Sequence, residues 1–482
     1  MIRRQMARLA KQSLVYGIGG VISRLAAIFL IPIYTSFVGK GSYGVVALLL
    51  SVEAFMVIVL RAGVQNAFFR FYYLTSDPLK RRTVIRTSFW FTMTSATVGL
   101  VLGLTFSPEI AHLLGTRVNL VRATSVFLWG DMNYEQQASI FRVEQRATSY
   151  AIASVSNVLI TIVATVLLVV VFRLGPMGMI VGNFTGTLCV YVVLLLYRAQ
   201  LLGFEFDRRL YRAMEHFGLP LLPSALALWA TRFSDRFFIH HFLGFGDVGV
   251  YSFGVNIASA LVLLITAFQL AWPAYAYSIE DDNEARRTYA YVLTYYMFLM
   301  TWAAVALSLL APVLAHILAP RNHAYWPGAR VVPLIAFANV IFAGYSVLTI
   351  SIGRVRKTGV NWVITGLGAI IDVALNVLLV PRIGMIGAAI SLLAAYATMF
   401  LGMSWRAQRL FPVPHQWRRL VTLLGVGAGI VVLGRVISIS APLALALTAA
   451  FPFVLFAFGF YVAPERAQMA MLARRIVHKR PA

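Results

Sequence analysis

The sequence has 482 residues, of which 60% are hydrophobic and only 12% are charged. Soluble domains are close to half apolar and about a quarter charged, so this composition excludes a soluble globular protein and indicates an integral membrane protein. The formal net charge of +24 would suggest a nucleic-acid partner in a soluble chain. Here the Lys and Arg residues lie in short clusters between apolar runs, a pattern typical of the positive-inside rule, so we expect no nucleic-acid partner.

Apolar runs in chain order predict the membrane spans. A spanning helix needs about 20 predominantly apolar residues. With that measure the sequence predicts an all-α polytopic membrane protein with about fourteen transmembrane helices, of which the fourth is the most polar. The predicted spans are 13–36, 43–65, 85–106, 119–141, 149–172, 176–197, 215–239, 248–273, 289–311, 327–352, 359–380, 384–405, 419–438 and 441–463.

The distribution of positive charge predicts the orientation of the chain. If the N-terminus is cytoplasmic, 29 of the 41 Lys and Arg residues fall in the inner segments, eight in the outer segments and four within spans. This imbalance predicts that both termini are cytoplasmic, and it favours an even number of spans. The first apolar run is too long for a cleavable signal peptide, and no small-residue cleavage site follows it.

Two motifs recur at nearly the same offset and predict two related halves. The residues 37–44 match 242–249 at an offset of 205, and 173–178 match 382–387 at an offset of 209. The repeat predicts two six-helix lobes related by a pseudo-two-fold axis along the membrane normal, with the cargo site between them. The predicted parts are an N-terminal lobe in 1–198, a C-terminal lobe in 199–409, and two extra helices with a basic tail in 410–482.

The stretch 227–256 is the main candidate for a functional site. Arg232, Asp235 and Arg236 share one face of a predicted helix at i, i+3 and i+4, inside an apolar run. A charged side chain at this depth costs about 2.5–3.5 kcal/mol on insertion scales, so it must face a partner or an aqueous cavity. Because a guanidinium stays charged and binds phosphate with a fork of donors, these two arginines and Arg24 are candidate ligands of a phosphate or another anionic group.

Other ionisable groups lie at the same depth, and two interpretations of the carboxylates stay open. They either pair with cations and hold helices together, or they couple transport to protons or to the membrane potential. The carboxylates concerned are Glu53, Asp131, Glu135, Asp235 and Asp372. Arg61, near the inner end of the second span, is a further candidate for anion binding, or its long side chain extends only to the membrane interface.

The sequence lacks the motifs that would indicate an enzyme. It contains no G-x-x-x-x-G-K-[ST] loop for a nucleotide and no H-E-x-x-H or Cys/His pattern for a metal. We therefore expect no catalytic residues, no metal and no cofactor. The single cysteine, Cys189, has no partner for an intrachain disulfide.

Several short motifs together resemble those of one transporter family. They are Ser13-Leu-Val-Tyr16-Gly17, Ile31-Pro32-Ile-Tyr34-Thr35, Ser42-Tyr43-Gly44, Gly63-Val-Gln-Asn-Ala67-Phe-Phe-Arg70-Phe-Tyr72, Asp235-Arg236-Phe-Phe-Ile, Val248-Gly249-Val-Tyr251-Ser252 and Arg382-Ile-Gly384-Met-Ile-Gly387-Ala388-Ala389. In order and spacing the chain resembles the polysaccharide transporters, the O-antigen and exopolysaccharide flippases of the multidrug/oligosaccharidyl-lipid/polysaccharide flippase superfamily. The resemblance covers essentially the whole chain.

The resemblance implies a flippase of the bacterial cytoplasmic (inner) membrane. Its cargo would be a polyprenyl-diphosphate-linked oligosaccharide, moved by alternating access for lipopolysaccharide or exopolysaccharide synthesis, with the polymerase and glycosyltransferases as further candidate partners beside membrane lipids. In the similar lipid II flippases the two extra C-terminal helices help to form a groove for the lipid tail. The alternatives are an ion-coupled multidrug exporter of the same fold, a membrane-embedded glycosyl polymerase or ligase, and a scaffold for glycosyltransferases.

Overall fold

The computed structural model describes residues 28–355, 359, 361–437, 439–463 and 465–467, and these residues form helices joined by short connections. The first described helix, α1, is Ile28–Phe37. The helices that follow are α2 (Lys40–Arg61), α3 (Val64–Tyr73), α4 (Pro78–Thr105), α5 (Ser107–Leu113), α6 (Val118–Val143), α7 (Ala147–Val166), α8 (Pro176–Tyr197), α9 (Ala199–Leu202), α10 (Arg208–Gly218), α11 (Leu222–Leu243), α12 (Phe245–Ala258), α13 (Ala260–Ser278), α14 (Asp282–Leu318), α15 (Val332–Arg354), α16 (Asn361–Ile383), α17 (Met385–Leu410), α18 (Trp417–Val436) and α19 (Ala441–Ala457).

The prediction of an all-α polytopic membrane protein is confirmed. The described helices overlap all fourteen predicted spans, and ten of them are long and apolar enough to cross a membrane. Two further long helices, α6 and α11, match predicted spans but are more polar. The reason is the set of ionisable residues that the sequence places there, Asp131 and Glu135 in α6 and Arg232, Asp235 and Arg236 in α11.

The structure differs from the prediction in two respects. The predicted span 248–273 is divided at Ser259 into α12 and α13. The predicted loops 66–84 and 198–214 contain most of α3 and α10, which a 20-residue apolar window does not detect because both helices are short and amphipathic. The start of α10 is fixed by Asp207, whose carboxylate accepts hydrogen bonds from two backbone N–H groups of the first turn.

The two copies of the first repeated motif pack against each other, where α2 and α12 begin. A Cβ atom on Gly44 would collide with the carbonyl oxygen of Phe245, and one on Gly249 would collide with the carbonyl oxygen of Lys40. Lys40 and Phe245 occupy matching positions of the motif, as do the two glycines, so the contact is reciprocal. Glycine is required at both positions because the two backbones approach so closely. We call this side of the bundle the Gly44 end.

A second close backbone contact lies at the opposite side, where α2 ends and α11 is about to begin. A Cβ atom on Gly63 would collide with the backbone of Gly218, and one on Gly218 would collide with that of Gly63. Gly63 has a φ of +74°, a left-handed conformation that glycine adopts without strain. Beside this contact the guanidinium of Arg70 lies 4.4 Å from the centre of the Phe217 ring. We call this side the Gly63 end.

The last two helices pack against the long helix α14. Gly427 of α18 lies close to Thr301, and the indole N–H of Trp302 donates to the carbonyl of Thr448 in α19 over 2.7 Å. The chain after α19 is held by an ion pair of 3.0 Å between Glu465 and the buried Arg419. These contacts fix α18 and α19 to the side of the bundle that α14 forms.

Candidate functional site

A cavity of about 400 Å³ lies between α1, α2 and α8 on one side and α11, α12 and α13 on the other. We call it the arginine cavity, because Arg236 is the one charged side chain among the described residues that line it. Its polar lining comes from both predicted lobes and consists of Tyr34, Tyr43, Ser51, Asn183, Ser252, Asn256 and Ser259. A polar hollow among membrane-spanning helices is a place where a charged group of a ligand can be held away from hydrocarbon.

Arg236 is buried, and its neighbours fix the guanidinium from one side. Its Nη1 donates to a carboxylate oxygen of Asp235 over 3.1 Å and to the carbonyl oxygen of Arg232 over 2.9 Å. Among the described residues, Nε and Nη2 make no further hydrogen bond, so these donors remain for a ligand in the arginine cavity. A guanidinium that is held by one nitrogen and free at the others is suited to a phosphate group.

Asp235 is the residue that holds this arrangement together. One of its oxygens accepts hydrogen bonds from the backbone N–H and from Nη1 of Arg236, and the other accepts one from the hydroxyl of Tyr251. The side chain of Asp235 is 4% exposed. A buried carboxylate with these three donors is fully paired, so Asp235 orients Arg236 rather than facing the cavity itself.

The next carboxylate, Asp372 of α16, is only partly satisfied. Its Oδ2 accepts a hydrogen bond of 3.0 Å from the hydroxyl of Ser234, which precedes Asp235 in the chain. Its Oδ1 and the side-chain oxygen of Asn376, one turn later, are both buried and lack a partner among the described residues. Two unpaired acceptor oxygens on one helix face form a place that a proton or a small cation would satisfy.

Arg232 lies on the same helix but does not line the arginine cavity. Its side chain is exposed, and its guanidinium lies over the Phe342 ring of α15, 5.0 Å from the ring centre. Its contribution to the arginine cavity is the backbone carbonyl that accepts the hydrogen bond from Arg236. The third predicted arginine, Arg24, lies outside the described residues.

The remaining predicted residues form a separate cluster between α2 and α6. The Nη2 of Arg61 lies 3.9 Å from Asp131, and its Nη1 donates to Gln65 over 2.6 Å. Glu135 pairs with Arg142 at 3.4 Å. The guanidinium of Arg61 therefore turns toward the carboxylate of α6. Sequence reasoning missed Arg142, because its position at the end of α6 is that of an ordinary inner-loop cation.

Glu53 lies close enough to this cluster to interact electrostatically with Asp131 and Arg61, and it also lines a second cavity of about 570 Å³ that is otherwise mainly apolar. Sequence reasoning also missed Tyr43 and Asn183, which line the arginine cavity from the first half of the chain. The signal that points to Tyr43 is its place in the repeated motif, directly before Gly44. Asn183 stands as a polar residue within an apolar run.

Comparisons with known proteins fit this fold. Residues 34–324 match the family described as polysaccharide biosynthesis protein. The chain is 22% identical over 232 residues to an uncharacterised membrane protein of Methanocaldococcus jannaschii, covering 46% of this chain and 44% of that protein. It is 23% identical over 276 residues to the Lsg locus protein 1 of Haemophilus influenzae, covering 56% and 66%. The chain thus spans between 44% and 66% of the length of these curated relatives.

Solved structures share the fold. The lipid II flippase MurJ in an inward closed conformation superposes with a TM-score of 0.73 at 12% identity, over 93% of this chain and 99% of that one. An inward-facing multidrug resistance MATE family transporter superposes with a TM-score of 0.68 at 16% identity, over 80% and 95%. At these identities the likeness establishes the fold alone. Because the family match covers more than half of the residues, this multi-pass membrane protein belongs to the family of polysaccharide biosynthesis proteins.

Proposed function

We propose that this protein is a flippase that carries a polyprenyl-diphosphate-linked oligosaccharide across the bacterial cytoplasmic membrane for the synthesis of a cell-surface polysaccharide. Membership of the polysaccharide biosynthesis family and the fold of a lipid II flippase support the proposal. The observation that carries it is Arg236, a buried guanidinium that lines a cavity with several polar side chains within the membrane-spanning helices.

The chemistry of Arg236 suits the diphosphate of such a cargo. A diphosphate presents several acceptor oxygens and a negative charge, and Nε and Nη2 of Arg236 are donors without a partner among the described residues. Charge-assisted hydrogen bonds of this kind are about twice as strong as neutral ones. The uncharged polar lining, which includes Tyr43, Asn183 and Asn256, offers hydrogen-bonding groups to the first sugars.

Alternating access would use the two ends of the bundle. The N-terminal lobe (1–198) and the C-terminal lobe (199–409) would separate in turn at the Gly44 end and at the Gly63 end, while α18 and α19 travel with α14. We propose cytoplasmic termini, because 29 of the 41 Lys and Arg residues then lie on the cytoplasmic side. With this orientation the Gly63 end faces the cytoplasm. The protein would act with the polymerase and glycosyltransferases that use and supply its cargo.

Coupling to an ion would involve Asp372. The unpaired oxygens of Asp372 and Asn376 would be satisfied by a proton or a monovalent cation, and Ser234 connects Asp372 to the residue that holds Arg236. Uptake of the ion would then change the support of Arg236. The carboxylates of the separate cluster, Asp131 and Glu135, are already paired with arginines and are assigned to helix packing.

A multidrug exporter is the second candidate, because MATE transporters share the fold. A cationic drug would need an unpaired carboxylate in its binding cavity. The described lining of the arginine cavity offers a cation instead, so the flippase is favoured. Overexpression that raises the resistance of a sensitive strain to cationic drugs would support the exporter.

The test is complementation of a strain that lacks this gene, with measurement of surface polysaccharide and of the lipid-linked oligosaccharide left in the cytoplasmic leaflet. We expect Arg236→Ala to abolish surface polysaccharide and to accumulate the lipid-linked precursor at unchanged protein level. Arg236→Lys, which keeps the charge and loses the fork, should retain a small fraction of the activity. The control is Arg287→Ala, which removes an exposed guanidinium outside the cavity. Normal polysaccharide in the Arg236→Ala strain would refute the proposal.

A further inference from the structure

The second cavity, which we call the apolar cavity, lies on the other side of the contact between α2 and α11. It measures about 570 Å³, within the range of about 300–1,000 Å³ that small-molecule pockets occupy, and its walls come from α2, α4, α5, α6 and α11. Neighbouring residues separate the two cavities. On α11 Arg236 faces the arginine cavity and Phe237 the apolar cavity, while on α2 Ser51 and Val52 divide in the same way.

The wall of the apolar cavity gives water almost nothing to bind. The hydroxyls of Thr124 and Ser125 donate to the carbonyls one turn earlier in their own helix, over 2.8 and 2.9 Å. The indole N–H of Trp229 donates to the carbonyl of Ser51 over 2.9 Å. A buried water needs two to four polar partners. Only the carboxylate of Glu53 is left among the described lining groups, so water is a poor occupant of most of this volume.

The cavity is continuous with the membrane-facing surface of the bundle. Leu102, Phe106 and Leu113 line it, and yet they are 47%, 50% and 82% exposed. These residues lie in α4, which is long and apolar enough to span the membrane, and in the turn and short helix that follow it. Leu102 and Phe106 fall within the predicted span 85–106, so the hydrocarbon of the bilayer lies outside this part of the opening, whereas Leu113 belongs to the connection that follows.

We propose that the apolar cavity holds one acyl chain of a bilayer phospholipid, which enters between α4 and α5. The chain fills space that water does not fill and lies against Trp229, whose ring centre is 4.8 Å from that of Phe55 and 6.0 Å from that of Phe237. It thereby completes the wall between the arginine cavity and the membrane. This proposal does not depend on the cargo.

The test uses the protein in nanodiscs made from phosphatidylcholine with brominated acyl chains, which quench tryptophan fluorescence on contact. The quenching of Trp229 is obtained as the difference in quenched fluorescence between the unsubstituted protein and its Trp229→Phe variant. We expect Trp229 to be quenched. The substitution Val52→Phe, which places a ring in the cavity, should lower that difference about twofold, because a packed interior has no room for both. The matched control, Val98→Phe, adds the same ring at a 49% exposed position of α4 outside the lining and should change nothing.

A second variant and a competition arm keep the test decisive. Leu102→Phe narrows the opening from its exposed side, so it should also weaken the quenching of Trp229. This variant replaces Val52→Phe in the test if Val52→Phe disturbs folding. Absence of Trp229 quenching in the unsubstituted protein, or equal quenching in the cavity variants and the control, would overturn the proposal. Relief of quenching by stoichiometric polyprenyl diphosphate would support it, because a phospholipid chain must occupy the cavity before the isoprenoid chain of that lipid can displace it.

Discussion

The side-chain amide of Asn256 donates a hydrogen bond of 2.6 Å to the hydroxyl of Tyr43, and this bond joins α12 to α2 beside the arginine cavity. Tyr325 supports the same connection. Its ring meets that of Tyr43 edge-on at 5.8 Å, and its hydroxyl donates to the carbonyl of Val38 over 2.9 Å. Together with the reciprocal glycine contact, these bonds hold the Gly44 end together.

The first prediction concerns this hydrogen bond. Tyr43→Phe keeps the ring and leaves the amide of Asn256 unpaired, which costs about 1 kcal/mol and raises the open population about fivefold. The measurement is the labelling of a cysteine at Ser252 by a membrane-impermeant maleimide, with Cys189→Ser as the background. We expect faster labelling from the Gly44 end. Tyr296→Phe is the control, because the Tyr296 hydroxyl is buried without a partner among the described residues. Equal labelling in both variants would contradict the prediction.

The second prediction concerns the reciprocal glycine contact. Gly249→Val pushes a branched side chain into the carbonyl of Lys40, and such overpacking costs about 1–3 kcal/mol. We expect the Gly44 end to stay open and the production of surface polysaccharide to fall about tenfold at normal protein level. Gly41→Val is the matched control, since no atom of the part of the chain that the structure describes lies within 4 Å of a Cβ atom at that position. Full activity of the Gly249→Val protein would show that this contact is not needed for transport.

The third prediction separates the role of Asp235 from that of Arg236. Asp235→Asn leaves a buried guanidinium without its anion, which costs about 3–5 kcal/mol. We therefore expect a clearly lower Tm in detergent for this variant. Replacing both residues, as in Asp235→Asn with Arg236→Met, removes both charges and should restore most of the Tm while transport stays absent. If the double variant is as unstable as the single one, the pair does not act as described.

The fourth prediction concerns pH and lies outside the membrane spans. The hydrogen bond from Arg86 and a second one from Thr83 lower the pKa of Glu205 below its ordinary value of 4.5. Because its pKa is lower in the folded protein, the ionised Glu205 stabilises the fold at pH values above the ordinary pKa. This stabilisation is lost as the pH falls through the lowered pKa. Glu205 is 42% exposed, so Glu205→Gln should cost less than about 1 kcal/mol at neutral pH.

The measurement for Glu205 is the Tm of the purified protein and of Glu205→Gln as a function of pH. The difference between them should be constant above pH 4.5 and should shrink below it. The control is Glu109→Gln, which removes a carboxylate at an exposed position in α5. A difference that grows as pH falls would contradict the assigned direction of the pKa shift.

The membrane helices could be predicted because hydrocarbon imposes a length and a composition on every span. The amphipathic helices α3 and α10 could not, since their apolar faces are matched by contacts at the Gly63 end and leave no long apolar run. The break at Ser259 could not be predicted either. It lies in a largely apolar stretch, and neither proline nor glycine stands at or next to the position.

The site was predictable only where its parts are neighbours in sequence. Arg232, Asp235 and Arg236 share a helix, so their closeness follows from helical geometry. The different roles of the three residues do not follow from helical geometry. They depend on hydrogen bonds between helices, from Tyr251 to Asp235 and from Ser234 to Asp372. Arg61 and Glu53 illustrate the same limit, since the packing of α2 against distant elements decides that one is paired and the other faces a cavity.

The reciprocal contact between Gly44 and Gly249 has an evolutionary consequence. Each copy of the motif supplies a glycine that leaves space and a carbonyl oxygen that fills the space beside the glycine of the other copy. This reciprocity is the property of a self-complementary two-fold interface. A shorter ancestral polypeptide with a single copy would already have carried everything needed to pair with its own twin. Gene fusion would then have turned a homodimer into one chain. Each half would have been free to diverge except at the contact between the two motif copies.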